Sequence, residues 1–161
     1  MTTQTVTHEE LIEHIKGIRK VVINDCYGGF GLSHEAIMRY LELSGQQVWP
    51  EDHDRFSKVV GLTYWLLPPD GPRVKSQPDN WHEMSLAERQ THNANYSKQV
   101  FCEREIARDD PYLVQVVEEL GTAANGKYAT LKVITIPADV RWEIEDYDGA
   151  EHIAEKHRTW R

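Results

Sequence analysis

Val21–Ser33 reads VVINDCYGGFGLS, an apolar run that opens directly into a glycine-rich turn and then into a helix start. Val21, Val22 and Ile23 are consecutive and β-branched, which predicts a buried strand over Lys20–Asp25. Gly28, Gly29 and Gly31 follow where the backbone must change direction, and glycine alone tolerates positive φ or the close approach of another backbone or a ligand. Ser33 then caps a second helix with Ile37, Tyr40 and Leu41 on its apolar face, closed by Gly45. A strand feeding a helix through glycines is either a structural turn or an anion cradle, because the first amides of a helix lack internal partners. No lysine follows the glycines, and GGFG has neither the dinucleotide-fold spacing nor the Walker A spacing.

Outward from this turn, Leu11, Ile15 and Ile18 predict a first helix over Thr7–Lys20, with Thr7 and Glu10 as a capping box. Val59–Leu67 (VVGLTYWLL) predicts a strand, and PPDGPR ends it. Residues 68–84 read as a loop insertion, and Ser85 with Glu88 offers a capping box for a helix to about Lys98. Asp110 followed by Pro111 is an N-cap with a first-turn proline, opening a helix that carries Leu113, Val114, Val116, Val117 and Leu120 and ends near Gly126. Ala129–Ile136 and Val140–Glu145 alternate as two strands, and Pro137, Ala138 and Asp139 between them suit a hairpin. The Asp148-Gly149 turn leads to an expected short helix over Glu151–Lys156. The expectation is a single α+β domain over 1–161, its mostly antiparallel sheet flanked by helices, with 1–19 as an N-terminal extension.

The 161 residues are 40% hydrophobic and 27% charged, the composition of a soluble globular protein with a core of its own. Eighteen basic residues against 26 acidic ones give a net charge of −8, which argues against DNA or RNA as a partner. A small phosphorylated ligand is compatible with that charge, since one or two arginines and a helix terminus hold a diphosphate locally. Cys26 and Cys102 stand far apart, and neither a signal peptide nor an apolar span of membrane length is read, so free thiols in a cytoplasmic, non-membrane protein are expected.

Several motifs invite chemistry. Gly121–Lys127 is GTAANGK, which satisfies the Walker A pattern, yet a predicted helix precedes it, a strand follows it, and Tyr128 stands where a hydroxyl ligand belongs. LSGQQ at Leu43–Gln47 approaches a transporter ATPase signature and likewise lacks the context. The histidines show no metal-binding spacing, His152 and His157 being five apart, so no metal or cofactor is expected. Cys26 beside the glycines is a buried thiol or a nucleophile, with no base assignable to it. Arg108, before Asp109 and Asp110, pairs with its acidic neighbours or points its planar fork at a phosphate. His157, Arg158 and Trp160 combine a titratable ring, a cation and a large aromatic, either a nucleotide grip or an apolar plug at the chain end.

CYGGFGLS at Cys26–Ser33, RDDPYLVQVVEELG at Arg108–Gly121, NGKYATLKVITIP at Asn125–Pro137 and WEIEDYDG through HRTW at Trp142–Trp160 resemble a group of small phage and prophage proteins. The chain is similar to the Thoeris anti-defence proteins that sequester cyclic ADP-ribose-type signals. The resemblance covers about half the chain and leaves out 1–19 and 48–95. It implies a homo-oligomeric sponge that binds such a signal without cleaving it, and binding of cyclic oligonucleotides at separate sites. Ligand-binding positions follow as Tyr27, Gly28, Gly29, Phe30 and Gly31 for a backbone cradle, with Arg108, Asp109, His157, Arg158 and Trp160 around it. A binder needs fixed donors and a stacking surface, which are present; a hydrolase needs a poised base or a metal in addition, and neither is visible. The rival readings are a nucleotide-processing enzyme and a protein-binding inhibitor of a host defence factor.

Overall fold

The computed structural model describes residues 17–52 and 61–157. Every strand pair in it is antiparallel and helices accompany the strands, so the fold class is α+β. The chain divides into two compact units, one built from 1–44 with 104–161 and the other from 45–103.

In the first unit, β1 (Ile18–Asn24) pairs antiparallel with β5 (Leu131–Pro137), with Val22 opposite Val133. Val21 and Val22 are fully buried, as their β-branched run predicts. Helix α1 (His34–Ser44) follows the bend and buries Ala36, Ile37 and Leu41, and Ser33 caps it through its hydroxyl, which accepts the Ala36 N–H at 3.1 Å. Helix α3 (Pro111–Leu120) packs on α1, β1 and β5 with Leu113, Val114, Val116 and Val117 inward. Asp110 caps α3 by accepting from the N–H groups of Tyr112 and Leu113, and Pro111 takes the first helical position. Strands β6 (Trp142–Tyr147) and β7 (Ala150–Glu155) form a separate hairpin whose turn, Asp148-Gly149, has φ of 52° and 88°. Two positive-φ residues in a two-residue loop match the right-handed twist of the strands they join.

In the second unit, β2 (Trp49–Asp52), β3 (Leu62–Trp65) and β4 (Val100–Phe101) make a three-stranded sheet in the order β2-β3-β4. Trp65 anchors it, with Arg73 at 4.8 Å from its ring centroid and Tyr96 edge-on at 5.6 Å. Residues 68–84 form turns and no helix or strand. Helix α2 (Leu86–Ser97) opens with the complete Ser85–Glu88 capping box.

Five expectations need correction. Strands β5 and β6 do not pair across Pro137–Asp139: β5 pairs with β1 and β6 with β7. The Asp148-Gly149 turn gives β6 a nearer partner, while Ala138 donates its N–H to Gly17 O and keeps that end of β5 against β1. The helix expected at Glu151–Lys156 is therefore β7, the return strand of that hairpin. Helix α3 stops at Leu120 rather than near Gly126, because Gly121 takes φ 56° and a single 3-10 turn, Gly121–Ala124, carries the chain on. Ile18 and Arg19 belong to β1 and not to a helix, and the strand expected at Val59–Leu67 is confined to Leu62–Trp65 among the described residues. The rest of the first helix, 7–16, lies outside the described residues.

Candidate functional site: the glycine bend

The bend is anchored by Asn24, the last residue of β1, which is fully buried. Its Nδ2 donates to Cys26 O and to Gly149 O, both at 2.6 Å, and its Oδ1 accepts the Thr130 N–H at 2.8 Å. One amide thus ties together the end of β1, the bend, the β6–β7 turn and the approach to β5. The Asn24 backbone N–H donates to Glu151 Oε2 at 2.8 Å. Glu151 also accepts both terminal nitrogens of Arg108, at 3.0 and 2.8 Å, in the bidentate geometry of a guanidinium fork. Arg108 in turn lies 3.4 Å from the centroid of the buried Phe30 ring.

Glycines serve close approach here. A Cβ on Gly28 would stand 1.6 Å from Tyr128 O, and one on Gly149 would stand 2.6 Å from Gly29 N and 2.9 Å from Tyr27 O. Gly126 packs against Gly31 and donates its N–H to Gly31 O at 2.9 Å. Three backbones, 27–31, 126–128 and 147–149, are therefore interlocked at one end of the unit. Each carries a strongly exposed tyrosine: Tyr27 at 72%, Tyr128 at 67% and Tyr147 at 75%. Lys127 Nζ lies 5.0 Å from the Tyr128 ring centroid. Exposed aromatic rings on a rigid backbone are the elements of a stacking surface.

Cys26 sits within the bend, its Sγ 3.3 Å from Asn24 Oδ1 and 3.2 Å from Tyr128 O. The Gly28 N–H, and after it the Thr130 hydroxyl, hold the thiol below its usual range. Both cysteines are free.

The sequence-predicted residues fall in different places. Tyr27–Gly31 and Arg108 come together, through Phe30 and the Glu151 network. Two donors of Arg108 are engaged by Glu151 rather than by its neighbouring acids. Asp109 pairs with Arg19 at 3.7 Å, and Asp110 caps α3. His157 follows the far end of β7, six residues beyond Glu151, a separation of about 20 Å along a strand. There it lines a cavity of about 470 Å³ with Arg141 and Lys156. Arg158 and Trp160 lie outside the described residues.

Sequence reasoning missed Asn24, Glu151, Tyr128 and Tyr147. Asn24 alone had a visible signal, a polar residue closing an apolar strand run. Among the described residues, no group of three or more His, Cys, Asp or Glu side chains is placed to hold a metal ion, and no helix is long and apolar enough to cross a membrane. Comparison with protein-family models, with curated proteins and with solved structures finds no match to this chain.

Proposed function

We propose that the protein is a phage anti-defence sponge: it binds a small nucleotide-type signal of the cyclic ADP-ribose class at the glycine bend and withholds it without cleaving it. The observation that carries this reading is the set of Tyr27, Tyr128 and Tyr147, exposed on three backbones that the glycines lock together. Rings held on interlocked backbone lose little freedom on binding, and a flat base stacks on a tyrosine face whatever its hydrogen-bonding edge. Calorimetric titration with cyclic ADP-ribose isomers and cyclic oligonucleotides, followed by recovery of the ligand after heating, tests it. Heat of binding with intact ligand recovered supports sequestration; absence of heat with every ligand ends the proposal.

A second reading, a nucleotide-processing enzyme, draws on the lowered ionisation of the Cys26 thiol within the same bend. It requires the ligand to be recovered altered, with the change abolished in Cys26→Ala.

A further inference from the structure

The two outer edges of the β1–β5 sheet are differently occupied. Asp25 donates its N–H to Thr130 O at 2.8 Å and Ala138 to Gly17 O at 2.9 Å, which sets the parity of the ladder: even-numbered residues of β5 turn their backbone groups toward β1 and odd-numbered ones turn theirs away. On β1, two of the outward N–H groups are already satisfied, Val22 by Arg108 O and Asn24 by Glu151, both at 2.8 Å. On β5, Leu131 donates to Asn125 Oδ1 at 2.9 Å, and Pro137 has no N–H while its carbonyl accepts from Val140 at 3.4 Å. Between them, the N–H and C=O of Val133 and Thr135 have no partner among the described residues. Val133 is half-buried and Thr135 is exposed. A central strand segment rich in β-branched residues, with both donor and acceptor left over at alternate positions, is a template for another strand.

We infer that this edge pairs with the same edge of a second copy, antiparallel about a two-fold axis at Ile134. In that register Val133 and Thr135 exchange both hydrogen bonds with Thr135 and Val133 of the second copy, so all four leftover groups are used. Lys132 falls opposite Ile136 of the second copy and never opposite another lysine, which removes the like-charge penalty of a facing pair. The pairing also closes. A two-fold pairing uses the same β5 edge of both copies, so in the resulting four-stranded sheet, β1-β5-β5-β1, this contact stops at two copies, and Arg108 O and Glu151 already cover the outer edge of β1 at Val22 and Asn24. Residue Tyr128 precedes β5, so antiparallel pairing sends the two glycine bends to opposite ends of the sheet. Each bend stays open, and the dimer stands or falls independently of ligand binding.

Thr135→Pro tests the assignment. Proline at 135 removes an outward N–H and puts its ring on the edge, while the even-numbered bonds to β1 remain. Sedimentation and light scattering of the full chain are expected to show a dimer for the natural sequence and a monomer for Thr135→Pro, with the same circular dichroism. Hydrogen exchange on the natural protein supplies the readout if the proline variant does not fold. The Val133 and Thr135 amides are expected to gain protection as concentration rises, whereas Lys132 and Ile134 stay protected throughout. A natural chain that is monomeric at every concentration, a dimer whose Val133 and Thr135 amides exchange freely, or protection of those amides that ignores concentration and vanishes on removing residues 1–16 would each overturn it.

Discussion

Arg108 grips Glu151 across the first unit through two hydrogen bonds, with side-chain exposures of only 17% and 6%, and the same guanidinium covers the ring of Phe30. The pair does more than neutralise charge. Glu151 also receives the backbone N–H of Asn24, so the start of β7 is tied to the end of β1 through one carboxylate.

Arg108→Ala leaves the Glu151 carboxylate buried beside a single donor, and the expected cost is about 3 to 5 kcal/mol in denaturant unfolding. Replacing both partners, Arg108→Met with Glu151→Leu, is expected to cost less than the single change. What remains is the orphaned Asn24 N–H, about 1 to 3 kcal/mol. A double variant no more stable than Arg108→Ala would show that the pair's charge balance is not what holds this region.

The glycines of the bend separate into two kinds. Gly28→Ala drives a methyl group into the Tyr128 carbonyl, and Gly149→Ala meets Gly29 at a φ of 88°, so each is expected to cost about 2 kcal/mol or more. Gly31→Ala has open space and an ordinary φ, and is expected to stay within about 0.5 kcal/mol of the natural protein. Thermal unfolding of the three variants side by side is the measurement; equal costs would refute the interlocked backbones.

Tyr27→Ala, Tyr128→Ala and Tyr147→Ala remove exposed rings and are expected to leave the unfolding midpoint nearly unchanged. If a base stacks on them, the ring in contact is worth about 1 to 3 kcal/mol of affinity, read by titration calorimetry. Undiminished affinity in all three would move the ligand away from the bend.

The Cys26 thiol is expected to react with iodoacetamide with a half-point at lower pH than a free cysteine, because the Gly28 N–H and the Thr130 hydroxyl favour its thiolate. Thr130→Val should move that half-point upward. The sign for stability follows from the same depression: the folded chain releases the proton at lower pH than the unfolded chain, so the contribution is complete above the unfolded thiol's pKa and fades as pH falls through the folded one. Alkylation profiles that coincide for folded protein and free cysteine would contradict this environment.

Local features were legible in the residues themselves. The β-branched run of β1, the Ser33 and Asp110 caps, the Ser85–Glu88 box and the turn at Asp148-Gly149 each depend on chemistry within a few positions, and all appear where the sequence puts them. The glycine bend was visible for the same reason, since a direction change with little room demands residues without a Cβ. Partner choice was another matter. Alternation marks a strand but carries no record of its neighbour, so β5 and β6 looked like each other's partners until β1 and β7 claimed them. Arg108 carries five donors that suit a phosphate and a carboxylate equally, and only the fold brings Glu151, 43 residues away, to meet it. Asn24 and Glu151, 127 positions apart, and the gathering of Tyr27, Tyr128 and Tyr147 were likewise decided by the tertiary structure, because contacts between distant segments follow from how hydrophobic faces pack and not from any periodicity along the chain.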